Sequence, residues 1–391
     1  MEEQTKKLRI AWSSNAPFAT SGYSIQTEQI IFRMQKAGYP TAMINFYGTE
    51  GGSFHLNGVK MYPKIGSTWG EDALLFHGQD FKADVSFTSQ DIWTLDMNIL
   101  KQVNRWIAHV PIDHEPPPPA VVERLRLAYR IVTVSKFGKR ELEKQGLYST
   151  YIPYTVDTEV LKPLDREKCR TELGIPQNLF IFGMVAANKD NPSRKSFQEA
   201  IDAFALFHAN HPESGMYFHT LIDQHGGFPI KSYWQALGLP PEKMFHLQPY
   251  DQMFHVGRVE LTKIINSFDC LLAPSSNEGF GVPIIEAQSC GIPVVVNDFT
   301  AMPELVIPGE TGFICKVAYK RFSPLGSFIA QPDVNSLHNC MVDIFKKDRK
   351  RMGEKARKFV VENYDSETVF NEQWKPYLAR LENEVYPDSL T

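Results

Sequence analysis

PSSNEGFGVPIIEAQSCGIPVVV, residues 274–296, decides the fold, because a strand end, a glycine loop, a helix and a second apolar strand follow one another within it. Gly279 and Gly281 allow tight turns and close approach of a ligand to the backbone, and Pro283 suits a first helical position, where its missing amide hydrogen costs nothing. The pattern predicts a helix that opens near Val282 and stops before Gly291, turning unpaired amide hydrogens and the positive end of its dipole into the loop. A pyrophosphate fits such a site. Glu278 precedes the loop and Glu286 is expected in the first helical turn, so the two carboxylates flank the anion site and suit hydroxyls better than phosphate.

Outward from this segment, short β-rich runs alternate with helical-period stretches, the signature of βαβ units and parallel sheets. Strands are predicted at Leu8–Ser13, Thr41–Phe46, Ala83–Thr88, Arg105–Val110 and Arg130–Val134, with a helix from about Ser24 to Lys36 before Gly38. The alternation restarts with a strand at Leu179–Val185, a helix over Ser196–His208 and further strands at Met216–Ile222 and Cys270–Pro274. A chain of 391 residues is too long for one ordinary core. The expected division is residues 1–165, a charged and proline-bearing linker at 166–177, a second domain at 178–360, and terminal helices at 361–391 that pack back on the first domain. The four prolines Pro116–Pro119 are expected to hold an extended loop.

Composition narrows the function classes. A hydrophobic share of 43% with 22% charged residues is that of a globular protein, and no apolar run reaches the roughly 20 residues that span a bilayer. The opening MEEQTKKLRIAW lacks the pattern of a secretory signal, so a cytoplasmic location is expected. The five cysteines, Cys169, Cys270, Cys290, Cys315 and Cys340, have no CxxC spacing and read as buried thiols. A formal charge of −4 gives no bulk attraction to a phosphate backbone, although the loops at 12–33 and 136–140 hold enough aromatic and basic residues to keep a nucleic-acid acceptor open.

EGFGVPIIEA, Glu278 to Ala287, resembles the two-glutamate signature of the retaining glycosyltransferases of family four, the glycosyl transferases group 1. VTVSKFGKRELEKQG at 132–146, IPYTVDTEVLKP at 152–163, the MPELV that closes 292–306, and GETGF at 309–313 are similar to further segments of that family, so the likeness covers most of the chain. It implies a GT-B architecture: two Rossmann-like parallel-sheet domains facing across a cleft, with the acceptor mainly on the first and a nucleotide sugar on the second. It further implies that Glu286 holds the donor ribose and Glu278 the hydroxyls of the transferred sugar. The glycine loop and helix start, Gly279, Phe280, Gly281, Val282 and Pro283, would receive the diphosphate. In NKDNPSRKSF, Arg194 and Lys195 match the cations that neutralise the leaving diphosphate without a metal or cofactor, and Lys189 stands where the family places its first arginine. Gly22 matches the glycine of the first loop, and His109, ending an apolar strand, matches a histidine that reaches the donor sugar.

The resemblance departs from the pattern at Thr300 and Ala301, where two glycines are usual. The activity it implies is transfer of a hexose from a UDP- or GDP-linked donor to an acceptor hydroxyl with retention of configuration. The acceptor classes left open are a glycan, a lipid-linked sugar, a small metabolite and a modified nucleic-acid base. A nucleotide-sugar epimerase and a non-catalytic nucleotide-sugar-binding protein are the alternatives. A metal cage from His109, Asp113, His114 and Glu115 is disfavoured by the adjoining prolines.

Overall fold

The computed structural model describes residues 6–19 and 21–387. The chain folds into two compact units. One takes the residues up to Ile112, then Pro116–Thr155, then the segment from Ser366 onward; the other takes Asp113–Glu115 and Val156–Asp365.

The first unit is built on an eight-stranded sheet. Its strands are β1 (Ile10–Asn15), β2 (Thr41–Tyr47), β3 (Phe54–Leu56), β4 (Val59–Tyr62), β5 (Val85–Ser89), β6 (Trp106–Val110), β7 (Arg130–Thr133) and β8 (Thr150–Tyr151). They lie in the order β3-β4-β2-β1-β5-β6-β7-β8, parallel except for the β3–β4 hairpin. The apolar runs of β1 and β5 are buried throughout or nearly so, as strands covered on both faces must be. The Gly22–Lys36 helix starts where Ser21 accepts a hydrogen bond from the Ser24 amide, and the chain turns out of it at Gly38, whose φ of +88° suits a residue without a Cβ. Trp374, from the returning C-terminal segment, packs against Trp12 and Phe87 with ring centroids 5.9 and 6.2 Å apart, so the last helices complete this core.

The second unit has a six-stranded parallel sheet with strands β9 (Phe180–Val185), β10 (Ser214–His219), β11 (Met244–Phe245), β12 (Cys270–Ala273), β13 (Val294–Asn297) and β14 (Gly312–Cys315). Their order is β11-β10-β9-β12-β13-β14. A separate antiparallel hairpin, β15 (Val317–Ser323) and β16 (Ser327–Pro332), follows. Phe182, Phe204, Phe207 and Phe218 fill the space between β9, β10 and the Phe197–His208 helix, each contributing about 1.5–3 kcal/mol by leaving water. All five cysteines are buried and free.

Residues 166–177, expected as a linker, carry instead the Arg166–Glu172 helix of the second unit, and the change of unit falls between Thr155 and Val156. The reason is a buried acid. Asp269 binds Arg170 at 2.8 Å, Arg166 and Arg349, and accepts the Ile181 amide at 2.7 Å, which fastens this charged segment to β9. The run Pro116–Pro119 is not loop to its end: Pro119 opens the Pro119–Leu125 helix, at a position that needs no amide hydrogen.

Candidate functional site

In an open parallel sheet, ligands gather beyond the carboxyl ends of strands where the chain reverses its direction of winding. In the second unit that reversal lies between β9 and β12, because β10 and β11 continue to one side of β9 and β12 to β14 to the other. The loop after β9 carries Lys189, Arg194 and Lys195 and leads into the Phe197–His208 helix. The loop after β12 carries Glu278 and leads into the Val282–Ser289 helix.

The two loops meet through charge. Lys195 Nζ is ion-paired with Glu278 Oε1, and Arg194 Nη1 lies 3.4 Å from Glu278 Oε2 while donating to the Asn277 carbonyl at 2.7 Å. Burial opposes the charge on Glu278, but Lys195 and Arg194 outweigh it and hold the carboxyl at about 2. Burial also opposes the charge on Arg194, and Glu278, Asp113 and Asp190 more than restore it. The Lys195 ammonium is lowered by burial, with Glu278 acting against that. A shallow hollow lies here, lined among others by Val185, Ala186, Lys195, Ser275, Glu278 and Pro283.

The helix start is as the spacing predicts. Gly281 caps it with φ +110°, a conformation that favours glycine, and a Cβ there would come within 2.7 Å of Ile284 Cδ1. The amides of Gly279 and Gly281 find no hydrogen-bond acceptor among the described residues. Val282 and Pro283 form the first helical positions, so the helix terminus opens beside Glu278 and Lys195. Phe280 differs in orientation from its neighbours: its ring is buried against Tyr364 at 5.8 Å and anchors the loop rather than facing the hollow.

Glu286 stands in the second helical turn, not the first, because the helix begins at Val282. It is 4% exposed, its carboxyl has no hydrogen-bond partner among the described residues, and burial raises that carboxyl to about 7, which Arg258 only partly offsets. Lys189 is exposed and makes no ion pair among the described residues.

Gly22 and His109 belong to the other unit. Gly22 opens the Gly22–Lys36 helix, and a Cβ there would meet nothing within 4 Å. His109 ends β6 as expected, but its ring is fully buried among Trp12, Tyr154 and Trp374, each at 5.5 Å, with Nδ1 2.9 Å from Ser89 Oγ. Burial lowers it to about 3, so it is neutral, and its Nε2 is buried without a partner. Those surroundings are those of a packed core histidine. Among the described residues no cluster of three or more His, Cys, Asp or Glu is arranged to hold a metal ion. Asp113 is engaged by His114 Nδ1 at 2.7 Å and by Asn277 Nδ2 at 2.9 Å.

Thr300 is the supporting residue the sequence concealed. It adopts φ +54° where glycine would be easier, and its hydroxyl accepts the Glu278 amide at 3.1 Å, fixing the acid from behind. A hydroxyl residue in place of an expected glycine was the available signal.

Two Rossmann-like α/β units with the site at a switch point define the GT-B class of fold. Residues 165–323, within the second unit, match the family of glycosyl transferases group 1. A D-inositol 3-phosphate glycosyltransferase of Arthrobacter sp. (strain FB24) is 29% identical over 166 residues, 41% of this chain and 37% of that protein. The matched segments span about a third of the length of the first curated relatives. Among solved structures, sucrose-phosphate synthase from Thermosynechococcus elongatus has a TM-score of 0.76 at 16% identity, covering 96% of this chain and 99% of that one. Anabaena HepE in complex with UDP-glucose has a TM-score of 0.71 at 16% identity, covering 95% and 100%. Among the described residues no helix is long and apolar enough to cross a membrane.

Proposed function

We propose that this protein is a glycosyltransferase that moves a hexose from a UDP- or GDP-linked donor to an acceptor hydroxyl with retention of configuration. The observation that carries the reading is the convergence of Arg194, Lys195 and Glu278 beside a helix start whose preceding loop amides, those of Gly279 and Gly281, lack acceptors among the described residues. The donor diphosphate would sit on those amides and displace Glu278 from the two cations, which suit an anion of higher charge. Glu278, released, would accept from hydroxyls of the transferred sugar, and the buried Glu286 would accept from the ribose.

In the reaction the bond between the anomeric carbon and the diphosphate oxygen breaks as the acceptor oxygen bonds to the same carbon from the same face. The acceptor proton passes to the departing diphosphate oxygen. Arg194, Lys195 and the helix terminus stabilise the charge that develops there, so the side chains supply what a divalent cation would otherwise supply. His109 is left out of this chemistry because its ring is enclosed in the core of the other unit.

The test is a thermal-shift panel of nucleoside diphosphates and nucleotide sugars, followed by donor turnover with the nucleotide that binds. A ligand at a hundred times its Kd should stabilise by about 2.7 kcal/mol. A shift with one base, lost in Glu286→Ala, and release of the diphosphate with that donor support the reading. No shift with any nucleotide, or binding without turnover under any acceptor, sinks it.

A further inference from the structure

The acidic segment Asp113–Glu115 holds no metal cluster, and its contacts give it a different use. It lies in sequence between β6 and the Pro119–Leu125 helix, yet its three residues belong to the second unit. Glu115 and Phe328 of β16 exchange backbone hydrogen bonds at 3.4 and 3.3 Å, and the Glu115 carboxylate holds Lys320 at 2.5 Å. His114 is buried. A segment fastened at Glu115 presents Asp113 in one place.

Both oxygens of the Asp113 carboxylate are taken. Oδ1 accepts from His114 Nδ1 at 2.7 Å and Oδ2 from Asn277 Nδ2 at 2.9 Å. Asn277 is 1% exposed and directly precedes Glu278, and its backbone carbonyl accepts from Arg194 Nη1 at 2.7 Å. Hydrogen bonds therefore connect His114, Asp113, Asn277 and Arg194 in a row. Burial works against the charge on Arg194, and after Glu278 it is Asp113 that does most to restore it.

A donor would treat these two acids differently. On the transferase reading, the diphosphate draws Arg194 and Lys195 away from Glu278, which turns to the sugar, so Glu278 no longer fixes the arginine. Asp113 cannot make the same exchange, because His114 and Asn277 hold both its oxygens. The Asn277 carbonyl stays beneath the guanidinium.

We propose that Asp113 is a positioning residue of the transfer reaction: through Asn277 it keeps Arg194 aimed at the leaving diphosphate once Glu278 has let the arginine go. This role rests on the transferase reading and involves no contact with the ligand. Its signature is a split between binding and rate. A carboxylate near the two cations repels a diphosphate, so losing it should not weaken nucleotide binding. Losing the aim of Arg194 should slow cleavage of the sugar–diphosphate bond. A residue that only held the loop together would weaken both and lower the Tm.

The test uses the full-length protein and three variants, Asp113→Ala, Asp113→Asn and Asn277→Ala. Calorimetric titration with UDP and GDP reads binding, and diphosphate release from saturating UDP-glucose or GDP-mannose reads rate. Asp113→Ala should bind the nucleotide at least as tightly as the parent and release diphosphate roughly tenfold more slowly. Asn277→Ala breaks the same bond from its other side and should be slowed to a similar extent. Asp113→Asn should recover most of the rate, since its amide oxygen still accepts from Asn277 while His114, in its other tautomer, accepts from the new N–H. The role is overturned if Asp113→Ala or Asn277→Ala releases diphosphate at the parental rate, if Asp113→Ala binds nucleotide more weakly, or if Asp113→Asn is as slow as Asp113→Ala. A parent chain that binds neither nucleotide strikes the transferase reading and this role with it, whereas parental binding and release with any of those variant results strikes the role alone.

Discussion

Replacing Glu286 with glutamine should make the ligand-free protein more stable relative to the parent at pH 8 than at pH 4. The carboxyl is buried without a hydrogen-bond partner among the described residues, and burial raises it from an ordinary 4.5 to about 7. Below pH 4.5 it is protonated folded and unfolded alike and has no effect on the balance. Between 4.5 and 7 the unfolded chain releases its proton while the folded one keeps it, so stability falls across that window and remains lower above it. At about 1.4 kcal/mol for each tenfold change, the gap between 4.5 and about 7 amounts to about 3 kcal/mol. Glutamine keeps the shape without the charge. The Tm difference between variant and parent should therefore grow by roughly 6–12 °C from pH 4 to pH 8, taking a unit of this size. Differential scanning calorimetry at the two pH values checks it, and comparing the differences cancels whatever the amide itself costs. Equal differences at both pH values would refute the claim that this carboxyl is held out of water. On the donor-site reading the same variant binds the nucleotide more weakly, so a residue that lowers stability is retained for what it binds.

Lys195→Ala should weaken nucleoside diphosphate binding at least tenfold, about 1.4 kcal/mol, measured by calorimetric titration, with the fold intact. Asp269→Ala should cost about 3–5 kcal/mol in chemical denaturation, because it strands Arg170, which is 1% exposed, without its charge partner. Gly281→Ala should destabilise by about 1–3 kcal/mol through its φ of +110° and the contact with Ile284, whereas Gly22→Ala, facing open space, should leave the Tm unchanged. Chelation of divalent metals should leave donor turnover unchanged, since the side chains are proposed to carry the leaving charge; a strict need for magnesium or manganese would contradict that.

What the sequence disclosed was chiefly local and repetitive. The strand, glycine loop and helix over residues 274–296 could be read directly because each step has its own residue type, and the structure keeps them where the spacing put them. Arg194 and Lys195 were legible because they precede a helix, yet only the structure shows that they share Glu278. His109 shows the limit of strand-end reasoning: it occupies the expected end of β6, but side chains from β1, from residue 154 and from residue 374 enclose it, and no local pattern announces neighbours so distant in sequence. The linker reading failed for a related reason. The charges and the proline at 166–177 resemble a solvated connection until Asp269, far along the chain, gathers the arginines. The hairpins β3–β4 and β15–β16 are short, with mixed exposure, and leave little period to detect.

The return of the segment from Ser366 to the first unit has a consequence for how the chain comes into being. Trp374 supplies part of the hydrophobic centre around Trp12 and Phe87, so that centre stays open until residue 374 has left the ribosome. The second unit, whose main stretch is Val156–Asp365, has all its residues earlier. During synthesis the later-encoded unit can therefore close first, and the earlier-encoded one must wait with β1 and β5 incompletely covered. A chain truncated after residue 365 and released from the ribosome should show protease resistance from 156 onward and sensitivity before it, the reverse of the usual order from the N-terminus.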